Sequence, residues 1–426
     1  MENRIPIFIG NDATSRLVEY CRSHAAVVPY RRKGAIAVAM TLVADQNTYR
    51  ALGQAVDQAL RAQGFDVNTV VLIGDDIIAD ERTIVQVLVR GDASERVYLA
   101  VGSGTITDIV RFVSHRTRLP FIAIPTAPSV DGFTSIGAPL VINRIKQTLI
   151  TQAPMAVFAD LPTLRAAPHR LIASGFGDIV GKFTSLADWK LGHLIMDEEY
   201  SETIAQRAQR AAESCAESCE GIGHATEDGI RRLMDGLIES GLCMLDFGKT
   251  TLASGTEHHL SHYWEMRLLW EDRPSLLHGA KVGVACVMAA GLYDRIKDIS
   301  AQQAERLMDL VTLPDREVEV RHIQDAYGPI ADMLLEEQSS FLNLDDRAYD
   351  RLKQRIVDHW PDIQQLAGRV PSAEQIREML RAAGAPTEPA VLGLSDQEVA
   401  RGLRCCHYFR NRFTVLKLSR MLGIAA

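Results

Sequence analysis

Three separated segments carry the residue types of a divalent metal site. SGFGDIVGKFTS offers Asp178, SGTEHHLSHYWE offers His258, His259 and His262, and PSLLHGAKVGVA offers His278. One carboxylate and two imidazoles fill three positions around an ion and leave a fourth for water or a substrate oxygen, the outline of a catalytic site. On a helix His258 and His262 stand one turn apart, whereas His258 and His259 point about 100° apart, so the three do not all face one ion. The segments match neither HExxH nor a paired-cysteine zinc framework. On spacing alone, the reading of several of these histidines as surface residues or ordinary hydrogen-bonding partners stands level with the metal reading.

A second set of residues suits a phosphate-bearing cofactor. LAVGSGTITDIVRFVS places Gly102, Ser103 and Gly104 directly after an apolar strand and before a helix, where glycines admit a pyrophosphate to the backbone and the first helical N–H groups receive its oxygens. Thr105 and Thr107 add hydroxyls. The string is not the full GxGxxG fingerprint and not a Walker loop, and a tight strand-to-helix turn accounts for the same glycines. IPTAPSVDGFTS sets Thr126, Ser129, Asp131 and Ser135 at another strand end, where ligands of open sheets collect and where turn residues are also common. Asp45, closing IAVAMTLVAD, suits a ribose hydroxyl and so NAD; Arg31, Arg32 and Lys33 oppose that preference, leaving NAD and NADP both open.

These residues need a scaffold, and the chain is long enough for one. Its 426 residues predict two or three domains, and 47% hydrophobic with 23% charged residues excludes a disordered or collagen-like chain. The net charge of -8, with no lysine/arginine block, argues against nucleic acid as a partner. Seven scattered cysteines suit a reducing compartment, and no basic-then-apolar leader or bilayer-length apolar run is present, so the expectation is a soluble, cytoplasmic protein with no membrane partner. Up to about residue 160, short β-branched runs alternate with amphipathic stretches, as in a parallel sheet covered by helices. Strands end at Asp45 and Asp76, RVYLAVGSG and PFIAIPTAP supply two more, and TYRALGQAVDQALRAQG reads as a crossover helix stopped by Gly64. Beyond residue 160, periodic segments at 170–195, 200–218, 225–246, 257–270 and 279–296 predict helices. The expected architecture is thus an α/β domain with a parallel sheet over 1–160, followed by a mainly α-helical domain over 161–426.

Taken in order, VGSGTITDI, IPTAPSVDGFTS, GFGDIVGK, SGTEHHLSH and HGAKVG resemble the sn-glycerol-1-phosphate dehydrogenases, within the glycerol dehydrogenase and dehydroquinate synthase-like superfamily. The likeness covers at least residues 35–290, and the terminal RNRFTVLKL is similar to a late helical segment of that family. It implies that 1–160 is a Rossmann-like dinucleotide-binding domain and 161–426 a helical metal- and substrate-binding domain, with catalysis in the cleft between them. Asp178, His258 and His278 become metal ligands, with zinc expected ahead of nickel or iron. Gly102, Ser103, Gly104 and Asp108 go to the nucleotide loop, and Thr126 and Ser129 face the cofactor; Thr105 and Asp45 are offered to the cofactor by the residue reading alone. Asp131 resembles the substrate-side aspartate. Lys182 is either a support behind the metal or a substrate contact, and His262 contacts substrate or orders the pocket. Ala280 stands where the family often carries glutamate and Thr256 where serine is common; neither removes a ligand. The implied reaction is reversible hydride transfer between sn-glycerol 1-phosphate and dihydroxyacetone phosphate, in a homo-oligomer taking a small phosphorylated substrate. A metal-dependent glycerol or other polyol dehydrogenase, a dehydroquinate synthase-like cyclase and a non-catalytic ligand-binding protein are the alternatives.

Overall fold

The apolar runs read as strands are strands because Val, Ile, Leu and Ala fill a sheet buried on both faces. The computed structural model describes residues 5–24, 27, 38–74, 76–92 and 94–424; Arg31, Arg32 and Lys33 lie outside them. Its strands are β1 (Ile7–Gly10), β2 (Ala39–Asp45), β3 (Asp66–Leu72), β4 (Val97–Gly102), β5 (Phe121–Pro125), β6 (Gly137–Ile142), β7 (Ile145–Ile150) and β8 (Ala156–Asp160). Six form a parallel sheet in the order β1-β8-β5-β4-β2-β3. Every residue of β4 and β5 is buried. β6 and β7 form a separate antiparallel hairpin, turned by Asn143 (φ 51°) and Arg144 (φ 61°), a two-residue turn with both central residues left-handed. The crossover after β2 opens with a wide turn at Tyr49–Gly53, continues as helix Gln54–Ala62 and stops at Gly64, whose φ of +81° is the left-handed value expected of a helix-ending glycine.

The chain divides into two units, one of Met1–Gly175 with Glu217–Gly248 and one of Phe176–Ala216 with Lys249–Ala426. The α/β-then-helical order agrees with the sequence. The division does not fall at residue 160: helix Glu227–Phe247 returns to the sheet unit. Its contacts explain why. Thr134 Oγ1 donates to Ile238 O at 3.0 Å and Arg231 donates to Ile9 O at 2.7 Å. Gly241 lets the helix approach the strand-end loop, since a Cβ there would lie 2.2 Å from Thr134 Oγ1 and 2.6 Å from Asp131 O. Amphipathic periodicity shows that a helix has a buried face but not which sheet or helix covers it.

The second unit is helical throughout, and among the described residues no helix is long and apolar enough to cross a membrane. It buries His407, whose imidazole accepts a hydrogen bond from Arg420 and is held well below its ordinary pKa by burial first and Arg420 second. Unfolding frees that imidazole to bind a proton near its usual pKa of about 6.5, so its contribution is absent above that pH and destabilising below it. Stability is expected to fall by about 1.4 kcal/mol per pH unit below 6.5 on this account. Urea midpoints between pH 7.5 and 5.5 check this; a His407→Leu chain with an undiminished slope refutes the assignment.

Candidate functional site

In the sheet unit the strand order reverses at β2, which has β3 on one side and β4 on the other. Ligands of open sheets bind beyond the strand carboxyl ends at such a reversal. Asp45 and the Gly102–Gly104 turn stand there, at the ends of β2 and β4. Both glycines are also required by packing: a Cβ on Gly102 would meet Ile106 at 2.5 Å and one on Gly104 would meet Val130 at 2.9 Å. Ser103 precedes helix Gly104–Thr117, so the first turn of that helix, with Thr105 half-buried on it, presents N–H groups from the end of β4. Thr107 turns inward, its hydroxyl donating to Ser103 O at 3.0 Å. Asp45 Oδ1 caps the following turn, accepting from Asn47 N at 2.7 Å and Thr48 N at 2.9 Å. Its Oδ2 makes no hydrogen bond among the described residues.

Thr126, Ser129 and Asp131 follow β5 and are buried. Thr126 N donates to Gly102 O at 3.2 Å, tying the two strand ends together, and Asp131 Oδ2 accepts from Ser240 Oγ at 2.8 Å. Asp108 pairs with the fully buried Arg111 at 2.8 Å. That guanidinium also donates to the carbonyls of Gly132, Phe133 at 3.0 Å and Gly137 at 2.9 Å, so it staples the loop that follows Asp131. Burial pushes Asp108 up to about 7, with Arg111 opposing the rise. Ser240 and Arg111 escape sequence reading; the i,i+3 spacing of Asp108 and Arg111 is the one local signal of the pair.

The helical unit brings Asp178, His258 and His278 together. His258 Nε2 lies 3.6 Å and His278 Nε2 3.9 Å from Asp178 Oδ1, and one donor atom from each residue falls within 4.8 Å of the others. Donors about 2.1 Å from a tetrahedral ion stand roughly 3.4 Å apart, so the set fits a divalent cation. Three helices create the convergence. Asp178 lies in helix His169–Val180, and Gly177 beside it lets that helix meet the start of helix His278–Lys297: a Cβ there would be 2.2 Å from Gly279 O. His258 lies in the first turn of helix Thr256–Trp270.

Behind His258 stands Glu257, which the sequence reading passes over. It is fully buried. Its Oε1 accepts from His258 Nδ1 and from Gly255 N, each at 2.8 Å, and its Oε2 accepts from Thr184 Oγ1 at 2.7 Å. A carboxylate at Nδ1 fixes that nitrogen as the donor and leaves Nε2 as the lone pair aimed at Asp178. Burial alone would raise the Glu257 pKa, but the His258 hydrogen bond leads the contributions that bring it below the usual range. Asp188 supports the same turn, accepting from Thr256 N at 2.7 Å, Tyr293 Oη at 2.7 Å and Val415 N at 2.6 Å. The last bond anchors the FTVLKL segment under the site. Glu257→Gln keeps the shape but replaces one acceptor by a donor. Metal affinity is expected to drop about 10- to 100-fold, measured by chelator competition, with activity recovering at saturating metal.

Lys182 is fully buried, its Nζ 3.6 Å from Asp178 Oδ1 and donating to Asp178 O at 3.2 Å. Burial opposes ionisation of Asp178, yet Lys182 first, with His258 and His278, holds it below the ordinary carboxylate range. His262 stacks on His278 with ring centroids 5.6 Å apart and has Glu265 3.2 Å from its Nδ1. Glu265 in turn pairs with the buried Lys281 at 3.2 Å. His262, Glu265 and His278 make a second group with donors close enough for an ion, but both carboxylate oxygens of Glu265 are already engaged. His259 points away from the triad, buried edge-on to Phe409, with no hydrogen-bond partner for either ring nitrogen among the described residues.

Comparison with known proteins agrees with this layout. Residues 9–168 match the family described as iron-containing alcohol dehydrogenase. The chain is 40% identical over 413 residues to a glycerol-1-phosphate dehydrogenase [NAD(P)+] of Geobacillus stearothermophilus, covering 96% of this chain and 90% of that protein. It is 44% identical over 300 residues to the protein of that name from Bacillus subtilis (strain 168), covering 68% and 76%. Among solved structures, a sulfoacetaldehyde reductase from Bifidobacterium kashiwanohense in complex with NAD+ superposes with a TM-score of 0.60 at 12% identity over 99% of this chain and 97% of that one, a likeness of fold.

Proposed function

The chain belongs to the glycerol-1-phosphate dehydrogenase family, and from that premise we propose that it interconverts sn-glycerol 1-phosphate and dihydroxyacetone phosphate by reversible NAD(P)-dependent hydride transfer. The observation that carries the reading is the donor set of buried Asp178 and His258 with half-buried His278, and Glu257 fixed behind His258. When bound, a divalent ion supplies Lewis acidity toward the substrate C2 oxygen and the nicotinamide supplies or accepts the hydride. Zinc, ahead of nickel or iron, is the proposed occupant of this mixed nitrogen and oxygen donor set.

The remaining chemistry falls to the chain's own side chains. Asp178 presents Oδ1 as an anion because Lys182 neutralises it from behind, so the burial of Lys182 favours a supporting role over contact with the substrate phosphate. His262, oriented by Glu265 at Nδ1, is the group that holds or passes a proton at the substrate in this reading. Asp131, oriented by Ser240, accepts a bond from a substrate hydroxyl. Gly102, Ser103, Gly104 and Thr105 line the pyrophosphate, Thr126 and Ser129 face the cofactor, and Asp45 Oδ2 receives a ribose hydroxyl. Asp108 acts on the nucleotide through the loop it shares with Arg111. We place the enzyme in the cytoplasm as a homo-oligomer; none of its seven cysteines is in a disulfide, which suits a reducing compartment.

The test is dihydroxyacetone phosphate reduction with NADH or NADPH by protein loaded separately with each metal, with the product's stereochemistry assigned. Formation of sn-glycerol 1-phosphate is expected. Equal rates on dihydroxyacetone and its phosphate, or the opposite enantiomer, overturn the substrate assignment.

A further inference from the structure

Away from Asp178, His258 and His278, the helical unit contains a cavity of about 660 Å³. That size lies inside the range of roughly 300–1,000 Å³ typical of small-molecule sites. Its walls include Phe341, Leu344, Tyr349, Leu352, Phe413 and Met421, with the Lys417 ammonium buried among them. Lys417, on helix Val415–Met421, is 8% exposed. Its ammonium donates to Gln338 Oε1 at 3.1 Å and lies 3.3 Å from the centre of the Phe341 ring.

Neither partner carries a negative charge. The Gln338 amide is held in place by donating its own N–H to Tyr408 O at 3.0 Å, so it offers Lys417 a neutral acceptor. Among the described residues no carboxylate lies within ion-pair distance of Lys417 Nζ. Of the other two cations lining the cavity, Arg420 is matched by Glu319 at 2.8 Å, and the exposed Arg316 donates to Asn343 Oδ1 at 3.2 Å. An ammonium with three donors, taken from water and given one neutral acceptor, keeps most of its desolvation cost. Burial first and Arg420 second accordingly hold Lys417 well below the ordinary lysine range.

The geometry points to a binding site for a singly charged anion with an apolar body, an alkyl carboxylate, whose head group meets Lys417 and whose chain lies along Phe341, Leu344, Leu352 and Phe413. A doubly charged phosphate fits less well. Among the described residues Lys417 is the cavity's one buried cation without a carboxylate partner, and the exposed Arg316 at its rim is offset by the exposed Asp315 and Asp346. The apolar walls would leave phosphate oxygens without donors.

Calorimetric titration of the full-length, metal-loaded protein tests this with decanoate, 1-decanol and decyl phosphate as probes. Decanoate is expected to bind at least about tenfold more tightly than decanol, the gain of a hydrogen bond to a charged donor. Lys417→Met, which keeps the length and removes the charge, is expected to erase that difference while leaving decanol unchanged. Leu352→Trp, which fills the cavity, is expected to weaken decanoate and decanol together. Equal binding of decanoate and decanol to the unmodified protein overturns the proposal, as does no binding, tighter binding of decyl phosphate, or an unaltered decanoate affinity in Lys417→Met. The comparison of the probes on the unmodified protein decides the question even if a variant does not fold.

Discussion

Asp178→Ala is expected to lower kcat/KM for dihydroxyacetone phosphate reduction roughly a thousandfold or more, because Lewis-acid stabilisation is worth several kcal/mol and each 1.4 kcal/mol is about tenfold in rate. The loss should follow metal content: the variant is expected to retain no ion after gel filtration while still binding NAD(P). Asp178 is the hub of the donor set, with His258 and His278 both measured from its Oδ1. Its removal has a second consequence. Lys182, fully buried, loses its anionic partner, and breaking a buried pair on one side costs about 3–5 kcal/mol. The single variant therefore confounds metal loss with instability. Adding Lys182→Met removes the stranded charge, so the double variant should regain thermal stability without regaining metal or turnover. Restoration of activity in the double variant would mean that Asp178 is not a ligand.

Arg111→Met is expected to destabilise the sheet unit by about 3 kcal/mol, again because a buried partner is left behind. Four acceptors lose their donor together: the Asp108 carboxylate and the carbonyls of Gly132, Phe133 and Gly137. Asp108, already pushed up to about 7 by burial, responds by protonating, which limits the loss. The variant should show a lower denaturant midpoint and, because the freed loop follows Asp131, a raised KM for substrate with the metal affinity unchanged. A midpoint and KM both unaltered would show that the loop is held by other contacts, chiefly Thr134 to Ile238 O.

The motifs made much of the site readable in advance because each is a local arrangement. A glycine turn at a strand end, a polar cluster at the next strand end, an aspartate with a lysine four residues on, and a histidine pair one turn apart all depend on backbone geometry within a few residues. Glu257 was open to the same treatment: it is acidic, in the first turn of a helix and adjacent to His258, a proposed ligand. What hid it is that a buried carboxylate's role depends on what surrounds it, here Thr184 and Gly255 as donors along with His258.

Arg111, Ser240, Asp188 and the Lys417 cavity belong to a different kind of information. Ser240 reaches Asp131 from 109 positions away in the chain, and Asp188 holds Val415 from 227. The paired turn residues Asn143 and Arg144 mark the β6–β7 hairpin no more strongly than a loop, since asparagine followed by arginine is a weak turn signal. Residue types and their local periodicity determine which groups can do chemistry and which elements carry them. Which groups meet, which helix returns to the sheet, and whether a buried cation finds an anion were decided only by long-range packing, because burial strengthens electrostatics and makes every unmatched polar atom costly.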